Sequence, residues 1–268
     1  EAGSARGMML VADCAEFGVG GKIDAKESSR WYGEGAIRGN SFAMIGYALC
    51  YQKGFGVEKD DAEAVRWFRK SAELGDPGGM DFLASCYAAG RGVEKDQKEA
   101  VKWYRKSAEQ GFGQGMFSLA ICYLEGTGLK KDQKEAANWF RKGADVGHLR
   151  SMIYLGICYR DGIGIEEDEE EAVVWFRKAA EGGDASAMNL LARCYIEGTG
   201  VEKDEKEGAN WYKKSAELDN VMGMLNLGIC YKSGIGVAKS RAEALNWLRK
   251  ASEKGNAQAK LLLKELFE

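Results

Sequence analysis

Seven cysteines, a single histidine and recurring glycine pairs are the residues from which chemistry would first be expected in this chain. The cysteines stand at Cys14, Cys50, Cys86, Cys122, Cys158, Cys194 and Cys230, always 36 residues apart. A zinc site draws its thiolates from close pairs such as Cys-x-x-Cys, and a disulfide needs Cα atoms within roughly 7 Å. Equivalent residues on stacked helices, whose axes lie about 8–10 Å apart, satisfy neither requirement. The thiols read instead as small buried hydrophobes. Seven unpaired thiols in turn imply a reducing compartment, the cytoplasm. Gly54-Phe55-Gly56 and its counterparts resemble phosphate-cradling turns superficially. A dinucleotide loop, however, follows a strand and carries a third glycine, and neither is found here. His148 has no second imidazole and no spaced carboxylate or thiol that would make it a base or a metal ligand, so it reads as a surface or helix-end residue. The acidic run from Glu166 to Glu171 lacks the alternating ligands and glycine of a calcium loop and suits the start of a helix. No catalytic residue, metal ligand or cofactor site is assigned, and an enzyme is not expected.

These residues are positioned by a repeat. Every tryptophan obeys the same step as the cysteines, from Trp31 through Trp67, Trp103, Trp139, Trp175 and Trp211 to Trp247. A fixed period of this size is the signature of stacked supersecondary units, each burying its apolar face against its neighbours. Within a unit, Met44, Tyr47, Ala48 and Tyr51 fall on one helix face, and Ala64, Trp67, Phe68 and Ser71 repeat that spacing on a second helix. Gly54 ends the first helix, Asp60 is placed to cap the second, and Gly75 closes it. Each unit is thus an antiparallel hairpin, helix A then helix B. Asp219 replaces the closing glycine of the sixth unit, so a different turn is expected there. Ser240 replaces the capping aspartate of the last unit and remains a good cap. Arginine and lysine pairs recur on helix B, as at Arg69-Lys70 and Arg105-Lys106. A basic stripe for nucleic acid or anionic lipid is one reading of them. Cations placed toward helix C-termini on a solvated face is the favoured one.

Composition bounds the rest. The chain has 268 residues, of which 45% are hydrophobic and 29% charged, with a net charge of −3 and a pI near 5.6. That balance suits a soluble, ordered protein and opposes one devoted to nucleic acid, whose domains are strongly basic. No apolar run approaches the roughly 18 residues of a membrane span, and the first residues lack the pattern of a signal peptide. The chain does not start with methionine, and a segment cut from something longer is the expectation, with any targeting signals missing.

The pattern Leu-Ala/Gly-x-x-Tyr-x-x-Gly-x-Gly-Val-x-x-Asp, followed by Ala-x-x-Trp-Phe/Tyr-x-Lys-Ala/Ser-Ala and a closing glycine, resembles the Sel-one-like repeat family. This is a branch of the tetratricopeptide-type solenoids. The resemblance covers essentially the whole chain. It implies an all-α fold, a right-handed α-α superhelical solenoid of 36-residue helical hairpins. A single repeat domain over 1–268 is expected, with seven repeats over 3–254 and a capping helix over 255–268. The cysteine staple of a secreted branch would correspond to Ala72 and Met80 and is absent. The resemblance also implies a scaffold or adaptor whose A helices line a concave groove, and it transfers no catalytic motif.

On helix A a second stripe, at i, i+4 and i+7, varies from unit to unit, and by the same resemblance it faces the groove. Its apolar members concentrate in the fourth and fifth units. An exposed apolar patch of this kind marks a partner site, although some members could pack against the adjacent helix A. The expected partner-binding residues are Phe117, Ile121, Leu124, Arg150, Ile153, Ile157, Arg160, Asn189, Arg193 and Ile196. Apolar side chains there would anchor a partner peptide or helix, the arginines would pair with a partner carboxylate, and Asn189 would bond its backbone. Asp13, Glu16 and Asp81 would favour cations toward the other end. The expectation is a protein–protein interaction scaffold. The alternative is a helical-repeat RNA-binding protein, which would need polar, basic residues where Ile121 and Ile157 stand. Thiol titration of protein denatured without reductant should count seven free thiols, and a count of five or fewer would contradict the reading of the cysteines.

Overall fold

The computed structural model describes residues 23–267. Expectations resting on Asp13, Cys14 and Glu16 lie outside them. Among the described residues there are fourteen helices and no strand. They are α1 (Ala25–Ile37), α2 (Ser41–Lys53), α3 (Asp61–Glu73), α4 (Pro77–Ala89), α5 (Gln97–Glu109), α6 (Gly113–Glu125) and α7 (Gln133–Asp145) in a first compact unit ending at Val146. A second unit, beginning at Gly147, holds α8 (Leu149–Asp161), α9 (Glu169–Glu181), α10 (Ala185–Glu197), α11 (Glu205–Glu217), α12 (Val221–Ser233), α13 (Arg241–Glu253) and α14 (Ala257–Phe267). Even-numbered helices are the A helices of the repeat and odd-numbered ones the B helices. The fold class is all-α, built of 36-residue helical hairpins.

The local signals act as their chemistry requires. Asp60 accepts the backbone N–H groups of Ala62 and Glu63 on one oxygen, each at 2.9 Å, and so satisfies donors that α3 itself cannot. Asp96, Asp132, Asp168 and Asp204 cap α5, α7, α9 and α11 likewise, and Ser240 caps α13. Six glycines, from Gly54 to Gly234, close the A helices in the left-handed region at φ 64° to 80°. The turn at Asp219 does not differ as expected. Asp219 adopts φ 66°, the one non-glycine residue with positive φ among those described, and its side chain pairs with Lys254. Aspartate tolerates this region better than most residues.

Packing follows a large-into-small rule. Phe68, Phe140 and Phe176 of the B helices are at most 1% exposed, as are Leu83, Leu119, Leu155 and Leu191 of the A helices. Burying a side chain of this size contributes roughly 1.5–3 kcal/mol. Room is made by small residues. Ser71 donates from Oγ to the Ser41 carbonyl, 3.1 Å away, and a Cβ at Gly79 of the following A helix would come within 2.4 Å of that same Oγ. The Ser107–Gly115 and Ser215–Gly223 pairs repeat the arrangement. The described cysteines, Cys50 to Cys230, are buried and none is in a disulfide, and burial pushes the thiols of Cys86, Cys122, Cys158 and Cys230 up to about 11.

The second loop glycine sets the period. Gly92 sits at φ 68° with the Asp61 carbonyl of the preceding B helix so close that a Cβ would lie 2.0 Å from its oxygen. Gly111 has φ 84° and open space around it. Gly92→Ala should therefore cost about 2–4 kcal/mol in urea denaturation, adding overlap to backbone strain. Gly111→Ala should cost about 1–2 kcal/mol, from strain alone. Equal losses would show that the loop contact does not fix the stacking.

Candidate partner-binding face

The first question for the helix-A stripe is which of its positions packing has already taken. Phe117 and Ile153, expected among exposed anchors, are buried at 9% and 8% exposure. The same stripe position is buried in Asp81 and Leu225 as well. The Phe117 ring meets Phe140 of α7 at 5.8 Å between centroids, and Asp81 and Asn189 each bond a residue 37 positions further on. Packing, rather than a partner, is what this position serves first, as adjacent A helices require. Ile121 and Leu124 on α6, and Ile157 on α8, are half-buried and retain surface. Ile196 on α10 is half-buried too but leans onto α11, where a Cβ at Gly208 would fall 2.7 Å from its Cδ1.

The polar members are less open than the sequence suggested. Arg160 donates from Nε and Nη2 to the two oxygens of Asp161, at 2.6 and 2.8 Å. That bidentate contact holds the Asp161 carboxyl below the usual carboxylate range. Arg193 lies 3.9 Å from Glu197 one turn along. Asn189 accepts from the Asn226 amide at 2.9 Å. Arg150 is exposed. Its neighbour His148 is the N-cap of α8, accepting the Ser151 N–H at 3.3 Å, and burial followed by the Arg150 charge depresses its basicity.

On the B helices the paired cations have a structural occupation that the sequence did not disclose. Arg69, Arg105 and Arg177 donate to the hydroxyls of Tyr87, Tyr123 and Tyr195, each 18 residues on, at 2.6 to 2.9 Å. The lysine that follows each arginine lies over the tryptophan of its own helix, as Lys70 does over Trp67 at 3.9 Å and Lys178 over Trp175 at 3.9 Å. The signal was present in the fixed Arg-to-Tyr spacing. The A-to-A polar pairs Asp81–Ser118 and Asn189–Asn226 were likewise detectable as polar residues spaced 37 apart.

Asp81 is the unusual member. Ser118 donates to its Oδ1 at 3.0 Å and in turn accepts from the Gln114 amide at 3.3 Å. Burial outweighs this bond and pushes the carboxyl up to about 6. Among the described residues no three histidine, cysteine, aspartate or glutamate side chains converge as a metal site would need, and no helix is long and apolar enough to cross a membrane.

A chain of this construction belongs to the class of stacked α-hairpin repeat proteins, whose function is carried by a face rather than by a pocket. Its family is specific: seven consecutive Sel1 repeats match over 5–40, 41–76, 77–112, 113–148, 149–184, 185–220 and 221–256, and the chain belongs to the Sel1 repeat family. Members of this family in general serve as protein-interaction scaffolds. Among solved structures it is similar to c5321, a protective antigen present in uropathogenic Escherichia coli strains. The identity is 33% and the TM-score 0.79, over 99% of this chain and 57% of that one. This chain therefore spans little more than half the length of that relative. It is also similar to a Sel1 repeat protein from Oxalobacter formigenes, at 29% identity and a TM-score of 0.82, over 98% of this chain and 77% of the other. An immunity protein from Pseudomonas aeruginosa shares the fold at 20% identity and a TM-score of 0.56, over 80% of each chain. No curated protein matches with significance.

Asp81 binds its proton more tightly folded than unfolded, so its ionisation removes stability as pH rises from about 4 to about 6. Asp81→Asn should therefore be more stable than wild type at pH 7, by on the order of 1–3 kcal/mol. The gain should vanish below about pH 4, where the wild-type carboxyl is protonated in both states. Paired denaturation curves at both pH values measure this, and a pH-independent difference would contradict it.

Proposed function

We propose that the chain is a non-enzymatic scaffold that binds a segment of another protein along the helix-A face. The observation that carries this reading is the half-exposed apolar set Ile121, Leu124 and Ile157. The recurring contacts of the hairpins do not account for residue type at these positions. Ile121 and Ile157 correspond to Ser85 in the third unit and Arg193 in the sixth, while the backbone repeats unchanged. Apolar and aromatic anchors carry most of the energy of protein interfaces, and these side chains supply such contacts in their respective units. Phe117 and Ile153 act from beneath, fixing the positions of the residues above them. Arg150, Arg160, Arg193 and Asn189 form the polar surroundings. Arg160 reaches a partner carboxylate only by exchanging Asp161 for it, which favours specificity over added affinity. The net charge of −3 and the engagement of the helix-B arginines with tyrosines argue against an RNA-binding role. The buried thiols, none in a disulfide among the described residues, support a reducing compartment such as the cytoplasm.

A partner isolated by affinity capture and then purified should bind Ile121→Asp/Ile157→Asp more weakly than wild type by about 2 kcal/mol or more. The variant should keep its helical circular dichroism, because both side chains are only half-buried. Unchanged affinity in the folded variant would place the partner elsewhere. Tight binding of single-stranded RNA at physiological salt would favour the nucleic-acid reading.

A further inference from the structure

Two carboxylates are buried among the described residues, Asp76 at 8% exposure and Asp81 at 7%. Asp76 is fully accounted for. Its Oδ1 accepts the Gly79 N–H at 3.0 Å as the N-cap of α4, and its Oδ2 accepts the Ser41 hydroxyl at 2.8 Å. Asp81 is not. Its Oδ1 takes the Ser118 hydroxyl, but its second oxygen accepts no hydrogen bond. That oxygen is also not among the polar atoms sealed from the surface, so it opens outward. No lysine or arginine among the described residues lies within ion-pair distance of it.

The fold does not need an acid here. Equivalent positions in the other described A helices are Ile45, Phe117, Ile153, Asn189 and Leu225, all uncharged. The desolvation cost of this carboxylate is thus already met in the free protein, while most of the Coulomb energy that would offset it is unclaimed. A cation arriving from outside would recover that energy in surroundings of low effective dielectric. One turn further along the neighbouring A helices, Leu49 on α2 and Ile121 on α6 are half-buried and apolar, suited to the methylene stem of a long basic residue.

The geometry points to Asp81 as the anchor for a lysine or arginine side chain of a protein segment bound on the helix-A face of the first unit. This rests on the helix-A face being the binding surface. It adds the chemistry of one partner residue: a basic side chain beside apolar ones, its charged end against the open oxygen of Asp81 and its stem on Leu49 and Ile121. The Ser118 hydroxyl, committed to Asp81 and bonded by Gln114, holds the carboxylate in place to receive it.

The test uses random peptides of about a dozen residues selected on the purified protein, with the recovered sequences then synthesised and titrated. Recovered peptides should carry lysine or arginine next to apolar residues. Asp81→Asn should weaken them at least about tenfold, as loss of a charge-assisted contact predicts. Replacing the peptide's basic residue with norleucine should cost a similar factor on wild type and little on Asp81→Asn, the coupling expected of a direct pair. The norleucine loss on wild-type protein is read without any variant, so that arm does not depend on how well Asp81→Asn folds. If peptides lose affinity for Ile121→Asp but not for Asp81→Asn, the face binds partners and the Asp81 assignment is overturned. If they are indifferent to both substitutions, the face itself is excluded. Selection that recovers no basic peptides also overturns the assignment.

Discussion

The hairpins depend on a large pair of the B helix, tryptophan followed by phenylalanine, tyrosine or, at Leu248, leucine, filling the space beside small residues on the A helices. Trp67 and Phe68, Trp139 and Phe140, and Trp175 and Phe176 are all buried, as are Leu83, Leu119, Leu155 and Leu191 of the A helices at 0% exposure. Such a core tolerates little volume change, because interiors are packed as densely as organic crystals. The 36-residue spacing follows from it. An inserted residue in any loop would rotate the next helix and withdraw its large pair from the gap. Gly92 and its counterparts, pressed onto the preceding B helix, leave no slack to absorb the change.

That constraint divides the surface into two kinds. On the B helices it extends outward, since Arg69 ties its helix to Tyr87 of the next hairpin and Lys70 covers Trp67. Cations that look available for an anionic ligand are thus partly committed to holding hairpins together. On the A helices the commitment stops one residue short. The position of Phe117 and Ile153 is enclosed between helices, while the residue one turn further on, Ile121 or Ile157, keeps surface. The proposed partner contacts fall on that second position and on whatever polar residue the enclosed position carries.

The fold was legible because its determinants are local and repeated. Asp60 reads as a cap and Gly54 as a helix stop without reference to anything distant, and the repetition removes ambiguity about register. Asp219 was misjudged because aspartate is among the few non-glycine residues that enter the left-handed region, so the turn keeps its form without the glycine. The site was legible only in outline. A helical wheel places Phe117 and Ile121 on one stripe, but only packing between helices, as of Phe117 on Phe140 of α7, decides that the first is closed and the second open. The Asp161 clamp on Arg160 and the Ser118 bond to Asp81 were likewise outside what helix periodicity encodes, because both depend on rotamers and on helix separation.

The central claim is that partners engage the A helices and that the B helices serve the scaffold. A photoreactive side chain installed at Ile121, at Ile157 or at Val174, an exposed position on the B helix α9, tests it directly in an extract of the source cells. The account predicts a covalent adduct with the same protein from the positions of Ile121 and Ile157, and none from that of Val174. An adduct confined to the position of Val174 would contradict it.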